Sequence, residues 1–180
     1  APVAYLKVSG GILRDMTIHD LDMARFILGE EVTEVFATGS RLVDPDLMES
    51  LGDYDTVTVV LTTASGKQAI ITNSRRATYG YDQRVEALGS KGMAISENRR
   101  PHGMTLHTAD FTDRAEPLLN FFIERYQEAF DAEISEFVDA VESGRVPSVG
   151  FEDGRLALVL AEAALKSIAE ARVVAVKEIA

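Results

Sequence analysis

The chain has 180 residues, of which 46% are hydrophobic, and a formal net charge of -11 at pH 7. A chain of this length and composition normally folds as one globular domain with a real core, which excludes a disordered protein. The acidic balance and the lack of a basic cluster argue against nucleic acid as a partner, and no apolar run approaches the roughly 18 residues that a membrane span needs.

The chain contains no cysteine. Disulfides and thiolate metal sites are therefore excluded, and the composition is compatible with a cytoplasmic protein. The first residue is Ala1 rather than methionine, so we expect a fragment of a longer protein or a processed chain. Residues 1–180 are expected to form a single domain.

The first predicted element is a helix from about Thr17 to Leu28, which Gly29 ends as a C-cap. A β-rich middle follows. Alternating apolar residues and turn signals predict strands at 33–43, 54–63 and 68–76, a hairpin over 83–96 and a short strand at 103–109. Residues 44–53 are interpreted as an acidic loop.

The last third of the chain is predicted to be helical. Apolar residues recur at helical spacing from Tyr126 to Val141, and Gly144 with Pro147 ends that helix. A second helix is predicted at about 151–171 and a closing strand at 172–176. This order predicts the α+β class: an antiparallel-dominated (mixed) open sheet with helices on one face.

One face of the predicted sheet carries no charge. In the strand 54–63, three aliphatic residues form a core face and four uncharged residues face the other way: Thr56, Thr58, Val60 and Thr62. We assign Ile71 of the next strand to the same uncharged face. Two interpretations stay open, a solvated threonine face or a flat surface that packs against another subunit. The second predicts a homo-oligomer, a dimer or a tetramer.

A carboxylate and an imidazole, Asp15 and His19, lie four residues apart beside the first helix. Residues at this spacing lie on one side of a helix, roughly 6 Å apart, so the two side chains can meet if the turn at Asp15 is helical. The pair suits general base catalysis, because the imidazole can accept a hydroxyl proton and the carboxylate can orient the ring and stabilise its cation. Gly10 and Gly11 allow a close approach to a ligand or another chain segment.

Other interpretations of these residues stay open. An Asp–His pair at this spacing is also an ordinary ion pair on a helix surface. A metal site formed by Asp15, His19 and Asp22 is a further alternative, although no second histidine or cysteine supports it. We expect Arg25, three residues after Asp22, to be the salt-bridge partner of that aspartate.

Four segments of the chain carry a resemblance to a known family. They are "GGILRDMTIHDLDMARFILGE" (10–30), "NSRRATYGYDQRVEALGSKGM" (73–93), "ERYQEAFDAEISEFVDAV" (124–141) and "GFEDGRLALVLAEAALKSI" (150–168). They resemble the C-terminal domain of the Gfo/Idh/MocA oxidoreductases and, within that family, the inositol 2-dehydrogenases. The resemblance covers nearly the whole chain, and its first two segments are the most specific.

The resemblance implies a function. It implies the substrate-binding and oligomerisation domain of an NAD-dependent enzyme that oxidises a ring hydroxyl of myo-inositol or a related polyol or sugar. By the same resemblance His19 is the base that removes the hydroxyl proton, and Asp15 binds substrate and tunes the histidine. Tyr79 and Tyr81 of the Y-G-Y-D segment line the sugar pocket, with ordinary strand-end packing as the alternative for both.

The cofactor-binding pattern of that family is missing from these residues. The G-x-G-x-x-G turn of a dinucleotide-binding domain occurs nowhere in the 180 residues, and neither does the family's Glu-Lys-Pro segment with its catalytic lysine. The resemblance therefore implies that NAD is bound mainly by an N-terminal Rossmann domain outside this chain, and that the 180 residues alone are inactive. The competing hypothesis is a non-catalytic α+β module that binds sugars or only mediates assembly.

Overall fold

The computed structural model describes residues 1–179, which form two compact units. Unit 1 comprises Ala1–Arg76 together with residues 149–179, and unit 2 comprises Ala77–Ser148. That the whole chain is one domain stays a prediction.

The helices and strands alternate irregularly along the chain. The helices of the described residues are α1 (Val3–Leu6), α2 (Ile18–Leu28), α3 (Pro45–Leu51), α4 (Phe122–Arg125), α5 (Gln127–Ser143) and α6 (Phe151–Glu170). The strands are β1 (Val32–Ser40), β2 (Thr56–Thr63), β3 (Gln68–Ser74), β4 (Val85–Gly89), β5 (Gly92–Ser96), β6 (Thr105–Leu106), β7 (Arg114–Ala115) and β8 (Val174–Ala175). Over residues 1–179, no helix combines the length and the apolar character that crossing a membrane requires.

Unit 1 is built on a four-stranded sheet in the order β3-β2-β1-β8, in which every neighbouring pair is antiparallel. Helices α2 and α6 pack on one face of this sheet and share a single core with it. Residues such as Leu21, Val59 and Ala161 are completely buried there. The predicted α+β class, with an antiparallel sheet and helices on one face, is confirmed. The later strands do not extend this sheet, since β4 pairs only with β5, and β6 with β7, within the part that the structure describes.

Two local predictions need correction. The first helical stretch begins before Thr17, because a π-helical turn over Leu13–Thr17 leads directly into α2. The interpretation of 44–53 as a loop is wrong, since most of it is helix α3. The Asp44 carboxylate caps that helix by accepting a hydrogen bond from the Leu47 amide at 3.3 Å, and Gly52 ends it in the left-handed conformation. These end signals outweigh the acidic composition that suggested a loop.

The face predicted to be uncharged lies on the side of the sheet opposite the helices, but Ile71 does not belong to it and the exposed Glu34, which pairs with Thr62, does. Ile71 is 7% exposed and pairs with Val59 in the core, so its assignment to the open face is wrong. Its neighbour Ile70 is 71% exposed and lies beside Val60, which in turn pairs with Phe36. Successive side chains of a strand point to opposite faces, so a one-residue error in the alternation exchanges the two isoleucines.

A serine of α6 completes the hydrogen bonding of the sheet where β8 ends. Strand β8 pairs with β1 only at Glu34 and Val35. Two residues further along β1, the amide of Ala37 donates to Ser167 Oγ at 2.9 Å, and that hydroxyl donates to the Arg172 carbonyl at 2.6 Å. Ser167 is fully buried. One hydroxyl therefore satisfies an amide and a carbonyl that a longer strand would have paired.

Unit 2 contains a network of hydrogen bonds centred on Asp82. Its carboxylate accepts from Arg84 Nε at 2.8 Å, from Asn98 Nδ2 at 2.6 Å and from the Tyr79 hydroxyl. The hydrogen bonds from Arg84, and then those from Tyr79 and Asn98, outweigh desolvation and lower the pKa of Asp82 to about 2. The network joins the segment before β4 to the segment after β5. In the same unit, the strand predicted at 103–109 is reduced to β6.

Replacing Ser167 by alanine tests the role of its hydroxyl in the sheet. Ser167→Ala leaves a buried amide and a carbonyl unpaired, and we expect it to lower the free energy of unfolding by about 1–3 kcal/mol. The measurement is urea unfolding followed by circular dichroism. Ser135→Ala is the matched control, because Ser135 is an exposed helical serine that bonds only within its own helix. An equal effect of the two substitutions would contradict this role.

The stability of unit 2 should depend on pH through Asp82. An aspartate with a depressed folded pKa stabilises the fold above its unfolded value of about 3.9 and loses this contribution as pH falls toward the folded value. We therefore expect Asp82→Asn to destabilise by up to about 2 kcal/mol at pH 6, and the difference from the unaltered chain to shrink between about pH 4 and pH 2. Asp110→Asn, at an exposed site outside the network, is the control. A difference that is constant over this pH range would contradict the assignment.

Candidate active site

Asp15 lies in the π-helical turn that precedes α2, where its carboxylate is largely buried. Single π-helical turns within helices are frequent at functional sites. Oxygen Oδ1 accepts a hydrogen bond from the Tyr5 hydroxyl, which raises the pKa of Tyr5 and keeps that hydroxyl protonated. Oxygen Oδ2 accepts from Arg75 Nη1 at 3.0 Å. Both oxygens of Asp15 are therefore held by other side chains of unit 1.

Arg75 connects Asp15 to a second carboxylate. Its Nη2 donates to Asp53 Oδ2 at 3.1 Å, and all three side chains are about nine-tenths buried. The remaining oxygen of Asp53 accepts from the Ile12 amide at 3.0 Å, at the start of the helical stretch. Two carboxylates and one guanidinium leave this buried cluster with one net negative charge.

Gly11 allows Asp53 to reach the start of the helical stretch. Its φ of +88° is a conformation that glycine adopts without strain. A Cβ built there would lie 2.8 Å from Asp53 Oδ1, closer than real Cβ contacts allow. The expectation that this glycine permits a close approach of another chain segment is thus met, and the approaching group is the Asp53 carboxylate.

His19 lies one turn after Asp15, in the first turn of α2, and is exposed in this chain. Its imidazole makes no hydrogen bond to Asp15 or to any other residue between 1 and 179, and the carboxylate expected to orient it is bound by Arg75 and Tyr5 instead. The two side chains still leave the same helical stretch four residues apart. The imidazole is thus exposed, four residues after a carboxylate that belongs to a buried cluster of net negative charge.

The neighbouring aspartates are held by other partners. Asp22 accepts from Arg25 Nη1 at 2.9 Å, which confirms the predicted salt bridge, and Arg25 also binds Glu31 at 2.8 Å. The hydrogen bond from Arg25 to Glu31 outweighs burial and raises the pKa of Arg25. Asp20 accepts from Asn73 Nδ2 at 2.9 Å. Because Asp15 and Asp22 each pair with an arginine, the geometry argues against the alternative in which they bind a metal with His19.

Tyr79 and Tyr81 both lie in unit 2 and differ in their surroundings. Tyr79 is 55% exposed, and its hydroxyl donates to Asp82. That hydrogen bond raises the pKa of Tyr79 and leaves the lone pairs of the oxygen available to accept a hydrogen bond from another group. The ring of Tyr81 packs edge-on against Tyr126, with centroids 5.8 Å apart. A substrate role for either tyrosine stays a prediction.

Arg75, Asp53 and Tyr5 contribute to the cluster around Asp15 and are not predicted from the sequence. The alternation of β3 could have predicted that Arg75 is buried. Ile71, Asn73 and Arg75 lie on the same side of this extended segment, and Ile71 is in the core. A charged residue that continues a core face requires a buried partner of opposite charge. Nothing in the local pattern identifies Asp53 as that partner.

Comparison with known proteins identifies the family. The sequence model of the GFO/IDH/MocA C-terminal domain matches residues 3–95. An inositol 2-dehydrogenase of Rhizobium meliloti (strain 1021) is 54% identical over 175 residues, which are 97% of this chain and 52% of that protein.

Solved structures show the same similarity. The crystal structure of a probable dehydrogenase from Thermotoga maritima matches with a TM-score of 0.95 at 49% identity, over 100% of this chain and 54% of that one. A scyllo-inositol dehydrogenase from Lactobacillus casei, crystallised with bound NAD(H) and scyllo-inositol, matches with a TM-score of 0.84 at 27% identity, over 93% of this chain and 49% of that one.

The chain spans about half the length of the curated relatives it matches. The family model covers residues 3–95, which are more than half of the 180 residues. The chain therefore belongs to the GFO/IDH/MocA family, whose C-terminal domain it contains.

Proposed function

We propose that this chain is the substrate-binding and catalytic-base domain of an NAD-dependent oxidoreductase that oxidises a ring hydroxyl of myo-inositol or a related polyol. The observation that carries the proposal is the position of His19. The His19 imidazole is exposed and lies one helical turn after Asp15, whose carboxylate accepts a hydrogen bond from Arg75 at 3.0 Å. The inositol dehydrogenases among the relatives support the substrate class.

In the proposed reaction His19 accepts a proton. Oxidation of a secondary alcohol removes a hydride from carbon and a proton from oxygen, and a carbonyl remains. A neutral imidazole near the hydroxyl can take that proton at neutral pH. The cluster of Asp15, Asp53 and Arg75 carries one net negative charge, which favours the imidazolium that forms. Asp15 is proposed to bind the substrate as well.

The residues of this chain do not suit an NAD site. A Rossmann-type site needs parallel strands and a glycine-rich turn before a helix. The strand pairs in residues 1–179 are antiparallel, and the glycine-rich pattern is missing from the sequence. NAD, which accepts the hydride, is therefore proposed to bind mainly to another domain of the full-length protein, and the chain alone is expected to be inactive.

The proposal assigns two tyrosines of unit 2 to substrate binding and a cytoplasmic location to the protein. Tyr79 and Tyr81 are proposed as contacts of the polyol. The Tyr79 hydroxyl donates its hydrogen to Asp82, so its oxygen can accept a hydrogen bond from a substrate hydroxyl. A cytoplasmic location fits a chain without cysteine.

We also propose that the open face of the unit 1 sheet forms a contact between subunits in a dimer or tetramer. The face presents rows of uncharged side chains, including Phe36, Val60 and Ile70 in one row and Thr38, Thr58 and Thr72 in the next. Ile70 is 71% exposed in the single chain. The exposed Glu34, which pairs with Thr62, brings one charge to this face from β1. Exposed apolar side chains in uncharged rows are typical of a face that another protein surface covers.

One observation favours the alternative of a non-catalytic sugar-binding or assembly module. Both oxygens of Asp15 are bound by Tyr5 and Arg75, as they would be if the carboxylate were only structural. The two proposed functions differ at His19: the catalytic-base domain needs its imidazole, and the non-catalytic module does not.

Replacing His19 tests the catalytic proposal. In the full-length protein, His19→Ala should lower the turnover number for inositol oxidation by about 10²–10⁴-fold, the usual contribution of a general base, while the affinity for NAD is retained. Steady-state kinetics and NAD titration measure the two effects. His102→Ala, at another exposed histidine, should leave both unchanged. Near-normal turnover of His19→Ala would remove this base from the mechanism, whereas a lack of inositol oxidation by the unaltered protein would favour the non-catalytic module.

A charge on the open face tests the assembly proposal. Thr58→Lys places an ammonium in the centre of the face, where an interface would have to desolvate it at a cost of several kcal/mol. We expect subunit dissociation to become at least about 100-fold more favourable, measured by light scattering over a dilution series. Ala64→Lys, in the exposed turn between β2 and β3, is the control. A monomeric unaltered protein, or an unchanged oligomer in Thr58→Lys, would show that this face is not the interface.

A further inference from the structure

We infer that Arg75 is a positioning residue for the active site, which fixes the Asp15 carboxylate in the turn that precedes His19. This inference rests on the proposed function, because it assigns the group that holds a proposed substrate-binding residue. Its basis is the contact of Arg75 Nη1 with Asp15 Oδ2 at 3.0 Å.

The guanidinium is itself fixed from several directions. Nη2 donates to Asp53 at 3.1 Å, and Nη1 also lies 3.8 Å from the sulfur of Met16. The backbone amide of Arg75 donates to the Asp55 carbonyl at 2.8 Å, which continues the pairing of β3 beyond its last residue. A side chain that is 9% exposed and held at both terminal nitrogens has little rotational freedom.

Asp53 is the fixed anchor of this arrangement. Its second oxygen binds the Ile12 amide at 3.0 Å, and its own carbonyl accepts from Arg41 Nε at 2.9 Å. It directly follows Gly52, which ends α3. Arg75 therefore connects a rigid point of unit 1 to the π-helical turn that carries Asp15. The position of Asp15 is set by a residue 60 positions later in the chain.

The geometry requires an arginine. The Asp15 and Asp53 carboxylates bind the two terminal nitrogens of the planar Arg75 guanidinium. A lysine has a single ammonium nitrogen and lacks this fixed geometry. Arg75→Lys keeps the positive charge and most of the buried volume but cannot hold both carboxylates in the same positions. It is therefore the first variant to test, since Arg75→Met leaves two buried carboxylates without a cation and can fail to fold.

The kinetic test uses the full-length protein with myo-inositol and NAD. We expect Arg75→Lys to lower kcat/KM by about 10- to 100-fold, the effect of displacing a reacting group by about 1 Å. Arg76→Lys is the matched control, because Arg76 is the exposed adjacent arginine whose side chain has no partner in residues 1–179. It should retain the unaltered kcat/KM.

Measuring the effect of Arg75→Lys on kcat/KM in an Asp15→Asn variant separates a positioning role from general structural support. In Asp15→Asn, which lacks the carboxylate that Arg75 positions, adding Arg75→Lys should reduce kcat/KM by less than about 2-fold, since residues that act as one unit are non-additive. A purely structural role would cost the same factor in both backgrounds, and that result would overturn the inference.

Crystal structures of Arg75→Lys and Arg76→Lys supply a readout that does not depend on activity. The Asp15 carboxylate should move in Arg75→Lys by more than the roughly 0.5 Å that a productive site tolerates, and should stay in place in Arg76→Lys. An unmoved Asp15 in Arg75→Lys would overturn the inference. If the unaltered protein does not oxidise inositol, the proposed function is wrong, and these structures decide separately whether Arg75 holds Asp15.

Discussion

The active-site end of unit 1 depends on one buried cation between two buried carboxylates. Removing a charged side chain from water is costly unless its partners are close and well oriented, and Arg75 meets this condition with Asp15 at 3.0 Å and Asp53 at 3.1 Å. These contacts join the end of β3, the end of α3 and the start of the first helical stretch. The same ion pairs that stabilise unit 1 therefore hold the Asp15 carboxylate in the helical turn before His19.

The register of the sheet determines where the Arg75 cluster lies and which side chains the open face presents. Pairing of Ile71 with Val59 places Ile71 in the core, and the same side of the chain then carries Asn73 and Arg75 toward the helical stretch. The opposite side presents Ile70 beside Val60. A slip of one residue would exchange the two sides, so the hydrophobic alternation of β2 and β3 fixes the arginine and the open face together.

The sequence predicts what local patterns determine. The helix that ends at Gly29, the helices α5 and α6, and the antiparallel strands of unit 1 follow from periodicity and end signals. Helix α3 is missed because it is short and acidic, and only the cap at Asp44 and Gly52 mark its ends. The faces of Ile70 and Ile71 are exchanged because the alternation in β3 is short. Asp15 and His19 can be found from spacing and resemblance. Their surroundings cannot, because Arg75 reaches Asp15 across 60 residues of chain and Asp53 across 22, and only the tertiary structure brings them together.

The central claim is that His19 takes the hydroxyl proton of a polyol. A crystal structure of the full-length protein with NAD and myo-inositol tests it most directly. The account predicts a nitrogen of the His19 imidazole within about 2.6–3.2 Å of the hydroxyl oxygen on the carbon that faces the nicotinamide, with Asp15 still bound to Arg75. A complex in which that hydroxyl contacts another base, and the His19 imidazole points away from the polyol, would contradict it.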